Sequence, residues 1–554
     1  MRNKATAKKI FYSFLGTIIL IGAAVWIFYA YYFQDVVNDY LTPKLQLAIE
    51  AATHGHYQLR IGRIVYQDGS LYCTNFELKR IRYGNEETGL TLERLEQDTV
   101  YLKGLHLISL LRGRGSFISR LEMHDPKIFI TEVSEGREKI KDSKPEKSSY
   151  SKNLPDNLPV ISFDSVILNN IHIYVPEKFR FTGDDSVYDG AFAHLAGFRL
   201  DSNAIAKEPL LYSKHLELYL PKIRYDIGDS TYVLEAGPIH AQLTDSLIAI
   251  DSASIIPKYS EEEFGAKNKY LKGRIDLRCT NIRIEGFDME RLMEGKCLAL
   301  HKCIVSSWKM DYYSDKRKPR EPHPEPAMLP NELAQEFPLP AKIDSLILDS
   351  GKIRIRERAP GSLEAGVITF DHAKLIASPY CTDTSYTDCG KNTHVSVSAL
   401  FLDEAPVSAS IDYELEKSEL EMQIEAKVGK LNAKRLNVFL IPNERKEITG
   451  GTIDGGSLVM KIHNGIATTT VTPHYEGLSM KILPKLPGEK GGLLDGIKSF
   501  IANIFVLRAS NFDKDDIKAV SATTTRRREP HEELLQFIWY ALRKSLGKVI
   551  GGFE

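Results

Sequence analysis

At 554 residues the chain is well above the size at which a core is hard to fill, and length alone predicts about three or four domains. Its 72 Lys and Arg balance 73 Asp and Glu, so it lacks the basic excess that neutralises phosphates, and nucleic acid is excluded as a partner. Six cysteines without a CxxC pair exclude a disulfide-dense scaffold and a Cys/His zinc site. Cys381 with Cys389, or Cys297 with Cys303, are the pairs an oxidising space would allow, with unpaired buried thiols the plainer reading.

Residues 1–9 carry Arg2, Lys4, Lys8 and Lys9 and no acid, and residues 10–33 carry no charge. At 1.5 Å per residue that run reaches roughly 36 Å, enough for a hydrocarbon core of about 30 Å with some tilt. Aromatic residues gather at both ends (Phe11, Tyr12, Phe14; Trp26, Tyr29, Tyr31), as at the two interfaces of a bilayer. The run exceeds the 7 to 15 apolar residues usual in a cleaved signal peptide, so a retained transmembrane helix is expected. The basic tail places the N-terminus in the cytoplasm and everything from Gln34 onward on the other side.

Residues 34–133 read as a helix followed by a first β segment. The helix is expected in two pieces, the second starting at Pro43, with Leu45, Ile49 and Ala52 on one face and Gly55 at its end. His54 and His56 read as solvated helix-end residues rather than metal ligands. From there to about residue 425 the apolar pattern has period two, the mark of strands with one buried face. Four phrases share one spacing, two alternating apolar residues, four turn residues and two more. They are Ile64 and Tyr66 with Leu71 and Cys73; Leu121 and Met123 with Ile128 and Ile130; Leu346 and Leu348 with Ile353 and Ile355; and Tyr413 and Leu415 with Leu420 and Met422. Val166 and Leu168, followed by Ile171 and Ile173, form a shorter copy. Each is expected to be a hairpin, turned at Gly69, Pro126 or Gly351. Charged residues alternate with the apolar ones, as in antiparallel sheets with one wet face.

Residues 134–157 are charged and Ser-rich, a linker or long loop. Residues 158–428 form the central β segment, crossed at 311–340 by a proline-punctuated stretch with a short helix near Asn331 to Phe337. In the C-terminal segment, 429–554, a helix is expected over LNAKRLNVFLIP and a hairpin through Asn464-Gly465. An amphipathic helix is expected around Leu493, Leu494, Ile497, Phe500, Ile501 and Ile504. The last helix begins near Pro530 and stops at Gly551. Leu534, Leu535, Ile538, Leu542, Leu546 and Val549 stripe it, and Phe537, Trp539 and Tyr540 widen the stripe. With Arg526 to Arg528, Arg543, Lys544 and Lys548 nearby, it suits a membrane or partner surface, or equally a plug for the end of the sheet.

Catalytic signatures are missing. No Gly-x4-Gly-Lys-[Ser/Thr], His-Glu-x-x-His or Gly-x-Ser-x-Gly occurs, so no enzyme activity, cofactor or metal is expected. What covers the apolar faces is left open by pattern alone: a second sheet, as in a sandwich, or a guest acyl chain in a curved groove.

The N-terminal anchor, VYLKGLHLISLLRGRGSFISRLEMHDPKIFI (100–130), the DSVIL and DSLIL phrases, and the course from LNAKRLNVFLIP to FIWYALRKSLGKVIGG resemble the AsmA-like envelope proteins of bacteria with two membranes. The resemblance implies a mainly β fold built on a long, curved antiparallel sheet of repeating β-groove type, with one transmembrane helix and a few amphipathic helices. It implies a single pass of the inner membrane and a periplasmic body whose groove shields phospholipid acyl chains. The implied role is in outer-membrane lipid homeostasis and envelope integrity, with outer-membrane or periplasmic proteins as further candidate partners. Its alternative is a non-transporting scaffold that assists outer-membrane protein assembly. The implied groove lining is the set of phrase residues above: Ile64, Tyr66, Leu71, Leu121, Met123, Ile128, Ile130, Val166, Leu168, Leu346, Leu348, Ile353, Ile355, Tyr413, Leu415, Leu420 and Met422. The implied membrane or partner helix carries Leu534, Leu535, Ile538, Trp539, Leu542 and Leu546.

Overall fold

The computed structural model describes residues 19–24, 26–27, 31–53, 55–67, 70–81, 89–105, 118–133, 161–175, 188–200, 212–227, 231–293, 297–322, 324–336, 340–382, 392–414, 419–483, 509–512 and 518–551. Of the chain so described, 61% is strand and 18% helix. It divides into two compact units, residues 1–223 with 240–245 and residues 224–239 with 246–554. The expected linker at 134–157, the helix at 493–504, His54 and Leu415 lie outside the described residues.

In the first unit, α1 (Phe33–Ala52) is one helix with Pro43 inside it, not two pieces. Packing on both sides of the proline overrides its local tendency to break the helix. Before it, the Asn38 amide donates to the Ile64 carbonyl at 2.7 Å and accepts from the Ile64 N–H at 2.6 Å. After it, Leu45, Ala51 and Ala52 lie against the sheet. The strands are β1 (Tyr57–Arg60), β2 (Arg63–Gln67), β3 (Ser70–Arg80), β4 (Gly89–Leu105), β5 (Ile118–His124), β6 (Lys127–Val133), β7 (Ile161–Tyr174), β8 (Tyr188–Leu200) and β9 (His215–Leu220). Most neighbours are antiparallel, but β7 runs parallel to both β5 and β6.

β10 (Ile223–Ile227) and β11 (Tyr232–Ala236) open the second unit, most of β12 (Ile239–Gln242) belongs to the first, and the second continues with β13 (Leu247–Pro257), α2 (Glu261–Lys267), β14 (Arg274–Glu285), α3 (Met289–Met293), β15 (Leu298–Asp315), α4 (Pro330–Glu336), β16 (Ala341–Arg358) and β17 (Gly366–Ser378). There follow β18 (Tyr380–Cys381), β19 (Asn392–Phe401), β20 (Ala405–Glu414), β21 (Glu421–Val428), β22 (Leu431–Asn432), α5 (Asn437–Glu444), β23 (Lys446–His463), β24 (Ile466–Ile482), β25 (Ala522–Arg527) and α6 (Leu534–Gly551). Here β15 and β16 are parallel. The sheets are therefore mixed rather than purely antiparallel. Parallel neighbours need a crossover of a dozen residues or more, and the charged stretch at 134–157 and the proline-punctuated one before β16 each fall between parallel partners.

Two of the four repeated phrases are hairpins as expected, β2–β3 and β20–β21. The other two are not. Leu346, Leu348, Ile353 and Ile355 all lie on β16, whose register shifts between Leu348 and Ile353 around Ser350 at φ 45°. Likewise β5 and β6 lie end to end along β4, joined at Asp125 with φ 59°. The shorter copy is a single strand, β7, with Asn170 at φ 51°. Two apolar pairs at an odd offset require a device that reverses side-chain parity. A tight reversal does so, and so does one extra residue in a continuing strand, and the spacing is identical for both. The hairpin through Asn464-Gly465 joins β23 to β24 as expected, with both residues at positive φ. Cys381 is disulfide-bonded, whereas Cys297 and Cys303 are free thiols, against the plainer reading for the first and the proposed pairing for the others.

Candidate functional site: an uncovered apolar sheet face

Register builds the site. In the second unit Ile250, Ile282, Val305, Leu348, Leu375, Val397, Ala409, Ala426, Leu458, Val471 and Ala522 stand opposite one another in turn, an unbroken apolar row from β13 to β25. At about 4.8 Å per strand step the row follows an arc of roughly 50 Å. Beside it runs Ile284, Cys303, Leu346, Ala377, Val395, Ile411, Ile424 and Met460. The opposite face is charged. Arg356 meets Asp311 at 2.9 Å and Glu261 at 2.6 Å, and Lys352 meets Asp371 at 2.9 Å.

A crease crosses β13 to β17. Ile250 and Ala253, Cys279 and Ile282, Val305 and Trp308, and Leu348 and Ile353 are odd-numbered steps apart, yet all belong to one apolar cluster with Ala373. Asn281, Ser350 and His372 take positive φ along this line. A bulge reverses side-chain parity along its strand, so residues on both sides of this line reach the same apolar cluster. Trp308 lies against the backbone of Gly351, where a Cβ would sit 2.2 Å from the indole. Only glycine admits that approach. The first unit shows the same device, with Asn75, Asp125, Asn170 and Gly190 at positive φ on β3, between β5 and β6, and on β7 and β8.

The cluster around Val305 and Trp308 is composed of side chains from β13 to β17 and β19 alone. Leu346, Leu348, Ile353 and Ile355 are each half-buried. No helix or second sheet contributes to it among the described residues. In the first unit a cluster of Ile171, Ala191 and Ala193 with Ile128, Leu168 and Leu218 is likewise made of strands only.

Elsewhere the same faces are covered. Ile64, Leu71 and Met123, with Tyr66, Leu121, Val166 and Leu168 against them, form a core that Leu45, Ala51 and Ala52 of α1 close. Leu420, Met422 and Tyr413 belong to a core closed by Phe537 and Ala541 of α6. Ile130 is half-buried on β6. Of the predicted lining, Leu346, Leu348, Ile353 and Ile355 thus stand on or beside the strand-only cluster of the second unit and Ile128 and Leu168 on that of the first, together with Ile250, which falls in a looser copy of the phrase at 248–255, and with Ile282, Val305, Trp308 and Leu375, which lie outside every copy.

α6 lies on the sheet. Phe537, Ala541, Ser545 and Val549 are buried, Leu534 and Ile538 pack on the core around Met460, and Leu542 and Leu546 on Val471 and Ala522. Leu535 and Trp539 remain exposed, at 75% and 44%. Ser545 Oγ donates to the Thr469 carbonyl at 3.1 Å, satisfying a hydroxyl with no access to water. Below the helix start, Arg526 grips Glu532 through two hydrogen bonds, one of 2.6 Å, and Glu532 is 2% exposed. Burial would raise this carboxyl, but the Arg526 guanidinium and the Glu529 N–H outweigh it and hold it below the usual range.

The proline-rich stretch crosses this face. β15 ends at Asp315 beside Arg358, at the strand ends marked by Tyr312 and Ile355. Leu329 then packs against Met422, Ile462 and Phe537, at the opposite strand ends and on the apolar side. The Ala327 N–H donates to the Pro530 carbonyl at 3.0 Å, the Arg528 guanidinium donates to the Ala327 carbonyl, and Arg320 donates to the Tyr540 hydroxyl at 3.2 Å. The expected short helix is α4.

Among the described residues no group of three or more His, Cys, Asp or Glu side chains could hold a metal. Burial pushes the Cys279 and Cys303 thiols up from their ordinary value, and Cys73 up to about 12, so all three remain apolar fillers. No helix among the described residues is long and apolar enough to cross a membrane, and much of 10–33 lies outside them. Comparison with family models, curated proteins and solved structures gives no match.

Proposed function

We propose that the chain is a membrane-anchored lipid carrier, its creased sheet holding phospholipid acyl chains on the way between the two membranes of a bacterial envelope. The carrying observation is the apolar cluster of β13 to β17 and β19, to which no helix or second sheet contributes a side chain among the described residues. An acyl chain drawn into water loses about 0.8 kcal/mol per CH₂, roughly 10 kcal/mol for a chain of ordinary length, and such a surface removes most of that cost without catalysis. The uncharged run at 10–33 supports the anchor. Ile19, Leu20, Ile21 and Trp26 within it are helical and exposed, as side chains facing lipid would be. A disulfide at Cys381 suits an oxidising compartment. The resemblance to the AsmA-like family supports the same assignment.

Native mass spectrometry of the full chain, released from mild detergent, tests the reading. A carrier brings phospholipid-sized adducts with it, and a chain that repeatedly comes free of lipid refutes the proposal.

A further inference from the structure

We propose that the second unit is a blind site for phospholipid: acyl chains lie across β13 to β19, and α6 is a fixed wall that stops them from running on toward β25. The inference rests on the lipid reading above and adds where the molecule halts. On the strand-only stretch two apolar rows run side by side, Ile250 to Val397 and Ile248 to Val395, each stepping through β13, β14, β15, β16, β17 and β19. Five steps of about 4.8 Å make the stretch roughly 24 Å long, and residues two apart along a strand set the rows about 6.6 Å apart. A hydrocarbon chain, like an extended polypeptide, advances about 1.2 Å per bond, so roughly twenty bonds span that length, and two rows suit the two chains of a diacyl lipid.

The rows continue past β19, but under protein. Their next residues, Ala409 and Ile411 on β20, lead into the core that Leu329, Phe537 and Ala541 occupy, and Val471 and Ala522 at the far end lie against Leu542, Leu546 and Val549. α6 is not built as a lid. Phe537, Ala541, Ser545 and Val549 are buried along its whole length, Ser545 Oγ donates to the Thr469 carbonyl, and the Arg526–Glu532 pair holds its start. Arg320 on Tyr540 and Ala327 on Pro530 bring the proline-rich stretch against the same wall. Displacing the helix would open an apolar core to water, whereas a lipid that backs away exposes none of it. A chain that reaches β20 therefore halts, and the lipid departs by the stretch through which it came.

Two leucines of one row supply the test. Leu375 on β17 and Leu458 on β23 are both half-buried, so burial alone does not separate them. Leu458 belongs to the core beneath α6, whereas α5 meets β17 at the Gly366 end, away from Leu375. Each is the sole leucine of its tryptic peptide, bounded by Lys374 and Lys391 or by Lys446 and Lys461. The full chain is grown with photo-leucine, a diazirine close to leucine in shape, and reconstituted into vesicles of dioleoyl phosphatidylglycerol. A cooperative thermal transition matching that of unlabelled protein checks the fold before illumination and digestion. The expected result is that lipid-mass adducts on the Leu375 peptide outnumber those on the Leu458 peptide at least tenfold. Adducts as frequent at Leu458 as at Leu375, or confined to the first unit, overturn the blind site and leave the lipid reading standing. A chain that takes no lipid adduct on any peptide beyond the uncharged run at 10–33 overturns both.

Discussion

Gly351 is the residue on which the crease turns. Its missing side chain lets the Trp308 indole rest on the backbone, and a methyl group there meets the ring at 2.2 Å. Gly351→Ala is expected to lift the indole, lowering stability by about 1–3 kcal/mol and shifting Trp308 emission to longer wavelength as water reaches it. Near the start of α6, Glu532→Gln leaves the half-buried Arg526 without its counter-charge, a loss of about 1–3 kcal/mol at neutral pH. The folded state holds the Glu532 carboxyl below its ordinary value, so the stabilisation is complete above the ordinary Glu range near 4.3 and fades as pH falls through the lower folded value. Thermal melts of native protein and variant should therefore differ at pH 7 and converge on acidification. Neither residue was singled out as a site residue from sequence. Gly351 was read as a turn glycine because close approach to a partner thirty or more positions away leaves no local mark. Asn38 and Asn437 escaped notice for the same reason, although each amide pairs with both backbone groups of a strand residue, Ile64 and Ile448.

Among the elements, long bulged strands and one amphipathic helix divide the labour. The apolar face of β16 is half-buried, whereas that of β23 lies beneath α6, with Met460 and Ile462 almost wholly buried. Substituting glutamate on each separates the two situations. Leu348→Glu should keep the near-ultraviolet circular dichroism of the native protein and lose bound lipid, while Met460→Glu should unfold its surroundings, the cost of a buried unpaired charge. Strand periodicity, the Asn464-Gly465 hairpin, α4 and the C-terminal helix were all legible in the sequence, since each depends on neighbours a few residues apart. The choice between hairpin and bulge was not, because both reverse side-chain parity at the same spacing and only pairing partners distinguish them. The exposed side of α6 was likewise overcounted. Leu535 and Trp539 belong to the apolar stripe by periodicity, yet the sheet is reached only by the Phe537 and Ala541 side of the helix.

For the molecule as a whole, each unit repeats one construction: a meandering mixed sheet, creased along a line of Asn, Asp, Ser and Gly residues, with a helix closing part of its apolar side. This construction needs no fixed repeat length, which is why the sequence copies fall at irregular intervals. It also has a colloidal cost. A broad oily surface left bare in water is an invitation to self-association, so under the proposed carrier role a guest chain would double as the protein's own solubiliser. Stripping the purified chain of lipid on a hydrophobic resin should drive it into large particles detectable by light scattering, and returning short-chain phospholipid should disperse them. The cell would then have reason never to leave this protein unloaded, and its abundance would follow the supply of what it carries.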